Sequence, residues 1–313
     1  MPTTRLISVA VALVAAAVAA GSTRAAPQAA ARTFAVSESR TIGRLPVVAP
    51  AYGWPLKPFD KQHPVRAFLD DPRIGENGGK AFHFGIDIAA PDGTRVYAVT
   101  GGELYLSHGS LCVVAGGGHE FGYWHIRAAA GLGEHQIVHR HQLLGTIAPG
   151  WGHVHFAERL GTEYVNPLRP GALGPYTDPV APTISGLSVR SDGHRGLDLV
   201  AYAHDTTWPT VRGAWTNEPV TPALIRWRLG TGGPWRTAAD FRTKMLDRSL
   251  FSSVYAPDTT QNHKGEGGNF AFYLGRSWRP ADGTYRIQVE ALDTRGNRAL
   301  ATARVSVVDG GVR

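Results

Sequence analysis

Apolar residues recur at every second position in short runs along most of the chain, and Gly, Pro and Asp punctuate them. Between residues 51 and 176 the runs are FHFGIDIAA, TRVYAVT, GELYLSH, SLCVVAG, FGYWHIR, QLLGTIA and HVHFAERL, with PDGT and AGGGH in the gaps. A period of two bounded by turn residues predicts strands, and no stretch of about 12 residues carries the 3.6-residue period of an amphipathic helix. The pattern breaks at GALGPYTDPVAP and restarts with TISGLSVRSD and GLDLVAYAHDT. Near the end, Tyr285, Ile287, Val289 and Ala291 are placed inward and Arg286, Gln288 and Glu290 outward, and DTRGN turns the chain back. That pattern predicts the terminal hairpin of a β-sandwich. The intervening WRLGTGGPWRTAADFRTKMLDRSLFSSVYAP predicts a short helix or a long loop and carries no chemical motif. The expected fold class is all-β: an antiparallel β-sheet domain over 51–178, then an immunoglobulin-like or fibronectin-like β-sandwich over 179–313.

The first 26 residues read as a secretory signal peptide. Arg5 supplies the positive start, Ile7 to Ala20 the apolar stretch, and TRAAP the small-residue cleavage region near Ala25. The apolar stretch is short for a bilayer crossing, and no other stretch approaches the ~20 apolar residues one needs. Residues 27–50, rich in Ala, Arg and Ser without periodicity, predict a flexible lead-in. The expected product is secreted, periplasmic or associated with the cell envelope, with no stable membrane span once the leader is gone. Cys112 is the single cysteine, so no disulfide forms within the chain, and its apolar surroundings predict a buried, unreactive thiol. Lys and Arg number 32 against 25 Asp and Glu, a net charge of +7. In an exported protein this balance suits contact with an anionic envelope polymer. Nucleic acid is not an expected partner, because neither a Lys/Arg run nor a groove-reading helix is present.

The chemistry concentrates in two runs. In a strand, residues i, i+2 and i+4 share a face, so His83, Gly85 and Asp87 point one way while Phe82, Phe84, Ile86 and Ile88 point into a core. Such a strand offers a nitrogen and a carboxylate oxygen to one ion, and a side chain at position 85 would intrude between them. GHVHFAE repeats the device with His153 and His155 on one face and Val154 and Phe156 on the other, although a histidine pair is equally at home on a solvated strand. FGYWHIR adds His125, in line with Phe121 and Tyr123.

Taken together, HFGIDIAAPDGTRVYAVTGGEL, YWHI, LLGTIAPG, HVHFAE and NPL over residues 51–170 resemble the lysostaphin-type, or LytM-type, zinc endopeptidases. The resemblance implies that His83, Asp87 and His155 bind one zinc ion and that His125 and His153 are catalytic, without deciding which of the two is the base. Three protein ligands leave the fourth tetrahedral position open, as catalytic zinc requires. The implied activity is hydrolysis of peptide cross-links in peptidoglycan, with its peptide stems as the partner. Two alternatives are a non-catalytic envelope adaptor that activates other wall hydrolases and a zinc peptidase acting on secreted or host proteins. The stretch before HxH, APGWGH, is shorter than in many members, and Trp124 is larger than the residue usually found there.

Other histidines get a bland reading. His139 and His141 form a second HxH in EHQIVHRHQ, but Arg140 between them and the lack of apolar alternation predict an exposed loop. HEFGY at 119 lacks the second histidine of a zincin helix. His63, His108 and His135 are read as surface residues, and His194, His204 and Asp205 as loop residues rather than a second metal site.

Overall fold

The computed structural model describes residues 31–43, 48–107, 110–194, 196–216, 218–263, 265 and 267–313. The expected leader at 1–26 and His108 lie outside them. The chain is all-β. Two short strands come first, β1 (Arg32–Phe34) and β2 (Ser37–Thr41). The first domain then holds β3 (Val65–Ala67), β4 (Pro72–Ile74), β5 (Lys80–Phe82), β6 (Ile86–Ala89), β7 (Arg95–Tyr97), β8 (Gly102–Ser107), β9 (Ser110–Val114) and β10 (His119–Trp124). It continues with β11 (Ile126–Ala128), β12 (Ile137–Val138), β13 (Leu143–Ile147), β14 (His153–Leu160) and β15 (Glu163–Val165). The second part holds β16 (Thr183–Ser191), β17 (Leu197–Thr206), β18 (Pro219–Val220), β19 (Leu224–Leu229), β20 (Arg236–Asp240) and β21 (Thr260–His263). It ends with β22 (Gly267–Asn269), β23 (Ala271–Trp278), β24 (Gly283–Leu292), β25 (Arg298–Val308) and β26 (Gly311–Val312).

The first domain is built on an antiparallel sheet in the order β12-β8-β9-β10-β14-β6-β3. Alternation sends Phe121 and Tyr123, Val154 and Phe156, and Ile86 and Ile88 to one face of it. There they meet Trp54, Val96, Leu104, Leu144 and Ile147 in one buried core, which the smaller sheet β11-β13-β7 helps to close. Each such side chain taken out of water contributes about 1.5–3 kcal/mol. The opposite face of β10, β14 and β6 is left free to carry polar groups.

The second part is a sandwich. One sheet runs β1-β16-β17 with β18 and β23 also on β17, and the other runs β2-β25-β24-β19-β20 with β26 on β25. Leu187, Val189, Leu199 and Phe272 of the first pack against Trp227, Ile287, Val289 and Val305 of the second. DTRGN closes the β24–β25 hairpin, with Leu292 opposite Arg298.

Four expectations are corrected. Residues 32–41 are not a flexible lead-in: β1 pairs with β16 and β2 with β25, each an edge strand, and Glu38 accepts the Ile184 amide at 2.7 Å. Their outward Ser, Arg and Thr side chains disguise them as a tail. Gln288 and Glu290 are buried rather than outward. Arg226 and Arg298, from the strands on either side, both pair with Glu290, and Arg228 donates to Gln288 at 2.8 Å. The helix-or-loop stretch contains the β19–β20 hairpin, and its helix is a single turn at Phe251–Val254. Finally, FHFGIDIAA is not one strand. β5 leaves the first sheet to pair with β4, and Phe82 joins Phe241, Phe251 and Tyr255 in the sandwich core, while the first sheet resumes at Ile86. Residues 83–85 are the crossing between the two.

Candidate metal centre

The centre forms on the free face of the first sheet. Trp124, His155, Asp87 and Ala67 lie side by side across β10, β14, β6 and β3, so strand register alone places His155 next to Asp87. His153, two residues before His155, shares its face and pairs with Ala89. His83 arrives from the crossing segment, whose backbone is held by His83 N–H to the Asp71 carbonyl at 2.9 Å and Asp70 N–H to the His83 carbonyl at 2.8 Å.

His83, Asp87 and His155 are all buried, and their ligand atoms converge. His83 Nε2 lies 2.8 Å from His155 Nδ1 and 3.2 Å from Asp87 Oδ1, and His155 Nδ1 lies 3.1 Å from the same oxygen. Donor atoms around a tetrahedral metal at 2.0–2.1 Å stand roughly 3.3 Å apart, so the triangle has the size of one face of such a site. His83 Nδ1–H donates to the Phe68 carbonyl at 2.8 Å, which leaves Nε2 as a bare lone pair facing Asp87. Among the described residues His155 Nε2 is buried without a partner, and the ring engages through Nδ1, toward the cluster. Two imidazole nitrogens and a carboxylate oxygen at this spacing fit a divalent metal ion, and the donor set suits zinc.

Gly85 is required here by close approach. A Cβ at this position would sit 2.4 Å from the Phe156 carbonyl oxygen and 2.9 Å from His155 Nε2. Gly85→Ala is therefore expected to push β14 and the His155 ring away, to cost about 1–3 kcal/mol of stability and to lower metal affinity. Chemical denaturation and metal titration of the variant check both effects.

The electrostatics keep His83, His125 and His153 neutral. Burial, reinforced by the Arg73 guanidinium, pushes His83 down to about 3, and burial with the neighbouring His153 pushes His125 down to about 4. His153 is also lowered, mainly by burial. Burial of Asp87 works against its ionisation, but the surrounding His83 and His155 outweigh it and hold the carboxyl well below its usual range. Neutral imidazoles beside an ionised carboxylate are the protonation states a metal ligand set needs.

His125 and His153 stand at the rim. Continued alternation would send His125 into the core after Phe121 and Tyr123. Instead its backbone is left-handed, with φ of 64°, between β10 and β11, and its ring turns to within 4.7 Å of the His153 ring, centre to centre. Trp151 stacks on the His125 ring at 3.6 Å, centre to centre, and lies 5.9 Å from the His153 ring. Asp92 holds the loop that carries Trp151 by accepting the Gly150 and Gly152 amides at 2.6 and 2.8 Å. His153 Nδ1–H donates to the Trp151 carbonyl at 2.7 Å, which directs Nε2 toward Asp87 Oδ1, 3.5 Å away.

All five residues singled out in the sequence therefore meet in one place. They lie along an open cavity of about 580 Å³. Arg66 and Arg73 also line it, as do Trp215, Gln261 and Asn262 from the second part of the chain, and none of these five stood out in the sequence. Arg66 lies 4.4 Å over the Trp215 ring, and Gln261 accepts the Ile74 amide at 2.8 Å. The competing histidines stay outside: His139 and His141 are exposed, with His141 stacked on Phe59, and His119 on β10 faces Glu158 at 2.9 Å. Cys112 is partly buried, and burial pushes its thiol up to about 11, which leaves it unreactive at neutral pH.

No family model and no curated protein matches the chain. Among solved structures, it is similar to Helicobacter pylori Csd3 at 19% identity, over 42% of this chain and 37% of that one, with a TM-score of 0.32. A zinc-containing peptidase from Vibrio cholerae is similar at 19% identity over 38% of this chain and 39% of that one, with a TM-score of 0.32. A complex of SpoIIIAH and SpoIIQ is similar at 17% identity, over 37% of this chain and 97% of the matched one, again with a TM-score of 0.32. The chain spans well under half the length of the first two.

Proposed function

We propose that the chain is a zinc-dependent endopeptidase that works outside the cytoplasm and hydrolyses peptide cross-links of peptidoglycan. The observation that carries this reading is the convergence of His83 Nε2, Asp87 Oδ1 and His155 Nδ1 within 3.2 Å of one another, with two further neutral histidines at the rim of an open groove. Zinc held by His83, Asp87 and His155 would supply Lewis-acid activation of water and of a peptide carbonyl. His125 and His153, neutral near pH 7, can each accept a proton and, once protonated, stabilise a developing oxyanion or protonate a leaving amine. The Phe68 and Trp151 carbonyls fix the ring tautomers of His83 and His153. Arg66, Arg73 and Trp215 give the groove cationic and aromatic walls suited to an extended peptide bearing carboxylates.

The wall substrate rests on the motif resemblance and on the chain's excess of basic residues. A parallel digest tests it: metal-loaded chain against purified peptidoglycan fragments and against a denatured protein such as casein. Release of new amino termini from the wall fragments, at a rate well above that on casein, is the expected result. Cleavage of casein alone would assign the peptidase to protein substrates, and cleavage of neither would favour the non-catalytic adaptor.

A further inference from the structure

We propose that Asp178, Asp205 and Asp293 form a second metal site, for a hard divalent cation of the calcium type, at the junction between the two domains. One carboxylate oxygen from each lies within 4.8 Å of the others, and all three residues are buried. They come from three places remote in sequence. Asp178 lies on the segment that joins the domains, Asp205 is on β17 rather than in the loop expected, and Asp293 opens the DTRGN turn.

The Asp205 carboxylate is the decisive member. Among the described residues its Oδ1 accepts only the Thr206 amide, at 2.8 Å, and its Oδ2 is buried without a hydrogen-bond partner, in a residue 1% exposed. A buried carboxylate oxygen left bare costs several kcal/mol unless a cation or a proton answers it. Among the described residues no ion pair reaches Asp178, Asp205 or Asp293. Arg295 is the nearby cation, but its guanidinium donates to the Leu168 carbonyl and lies 5.0 Å over the Tyr176 ring.

The other two carboxylates are held ready by their turns. Asp178 Oδ1 accepts the Val180 amide at 2.9 Å, and Asp293 Oδ1 accepts the amides of Arg295 and Asn297 at 2.7 and 2.9 Å. Asn297 bridges the two segments, donating from Nδ2 to Asp293 Oδ2 and to the Asp178 carbonyl. Two oxygens that ligate one calcium at 2.3–2.6 Å can stand at most roughly 5 Å apart, which accommodates the spacing. An all-oxygen set with three carboxylates suits calcium better than zinc, which prefers nitrogen and sulfur, or magnesium, which keeps its waters. Asn166 and Leu168 of the first domain line the same small cavity as Asp205 and Asp293, so an ion there would fasten the sandwich to the domain that carries the zinc ligands.

Calcium titration of the full, zinc-loaded chain, dialysed free of calcium, tests the proposal by calorimetry and by thermal unfolding at pH 7.5. One calcium per chain, with a rise in melting temperature, is expected. Asp205→Asn should weaken that binding by about 100-fold or more while leaving the zinc content unchanged, and Asp178→Asn, at a residue that joins the domains outside any strand, gives the same readout if Asp205→Asn does not fold. Absence of uptake up to about 10 mM calcium, beyond the weakest protein sites, would overturn the proposal. So would uptake that both variants leave unaltered.

Discussion

His155→Ala is expected to leave the protein folded but unable to retain zinc or to hydrolyse its substrate. His155 supplies one corner of a three-atom triangle whose other corners are His83 Nε2 and Asp87 Oδ1. Two ligands do not hold zinc against dialysis at neutral pH, and changes even to groups behind the ligands cost 10–100-fold in affinity, so loss of a ligand should exceed about 100-fold. Hydrolysis should fall to background in step. The fold should survive, because His155 lies on the face of β14 opposite Val154 and Phe156, which anchor the strand in the core. Zinc content by mass spectrometry after dialysis, circular dichroism and a hydrolysis assay, run together, check the three parts.

His125→Ala should separate binding from chemistry. Its ring stands 4.7 Å from that of His153 and 6.2 Å from that of His155, beside the ligand set rather than within it, and it is pushed down to about 4. It is therefore neutral and able to accept a proton at pH 7. Removal of a positioned acid or base costs about 10²–10⁴-fold in rate, so kcat should drop by that range while zinc content holds. Since position 125 has a left-handed backbone, His125→Asn is the companion variant, because Asn tolerates that conformation. An equal loss in both variants assigns the effect to the imidazole. Retention of full rate in His125→Asn would remove His125 from the reaction.

The convergence of the candidate ligands was legible in the sequence because strand periodicity is rigid. HxH on β14 and Asp87 on β6 needed only period two and antiparallel register to meet. His83 was found for a reason that the structure revises: it faces Asp87 because the chain crosses between two sheets at residues 83–85, not because one strand carries both. His125 was found by motif while its geometry was hidden, since nothing in FGYWHIR announces a left-handed residue that swings the ring from the core face to the open face. Trp215, Gln261 and Asn262 could not be read at all, because they reach the groove only through the packing of one domain on another. The strands at 32–41 were missed because edge strands with polar outer faces look like linkers.

Whether this site, loaded with zinc, cuts peptide cross-links is read out by mass spectrometry of purified peptidoglycan digested by the zinc-loaded chain, by the same chain stripped with a chelator, and by the stripped chain resupplied with zinc. Cross-linked fragments should be converted to uncross-linked ones with a new amino terminus at one peptide bond in the first and third digests and not in the second. Identical fragment patterns in all three digests would rule out zinc-dependent cleavage at this site.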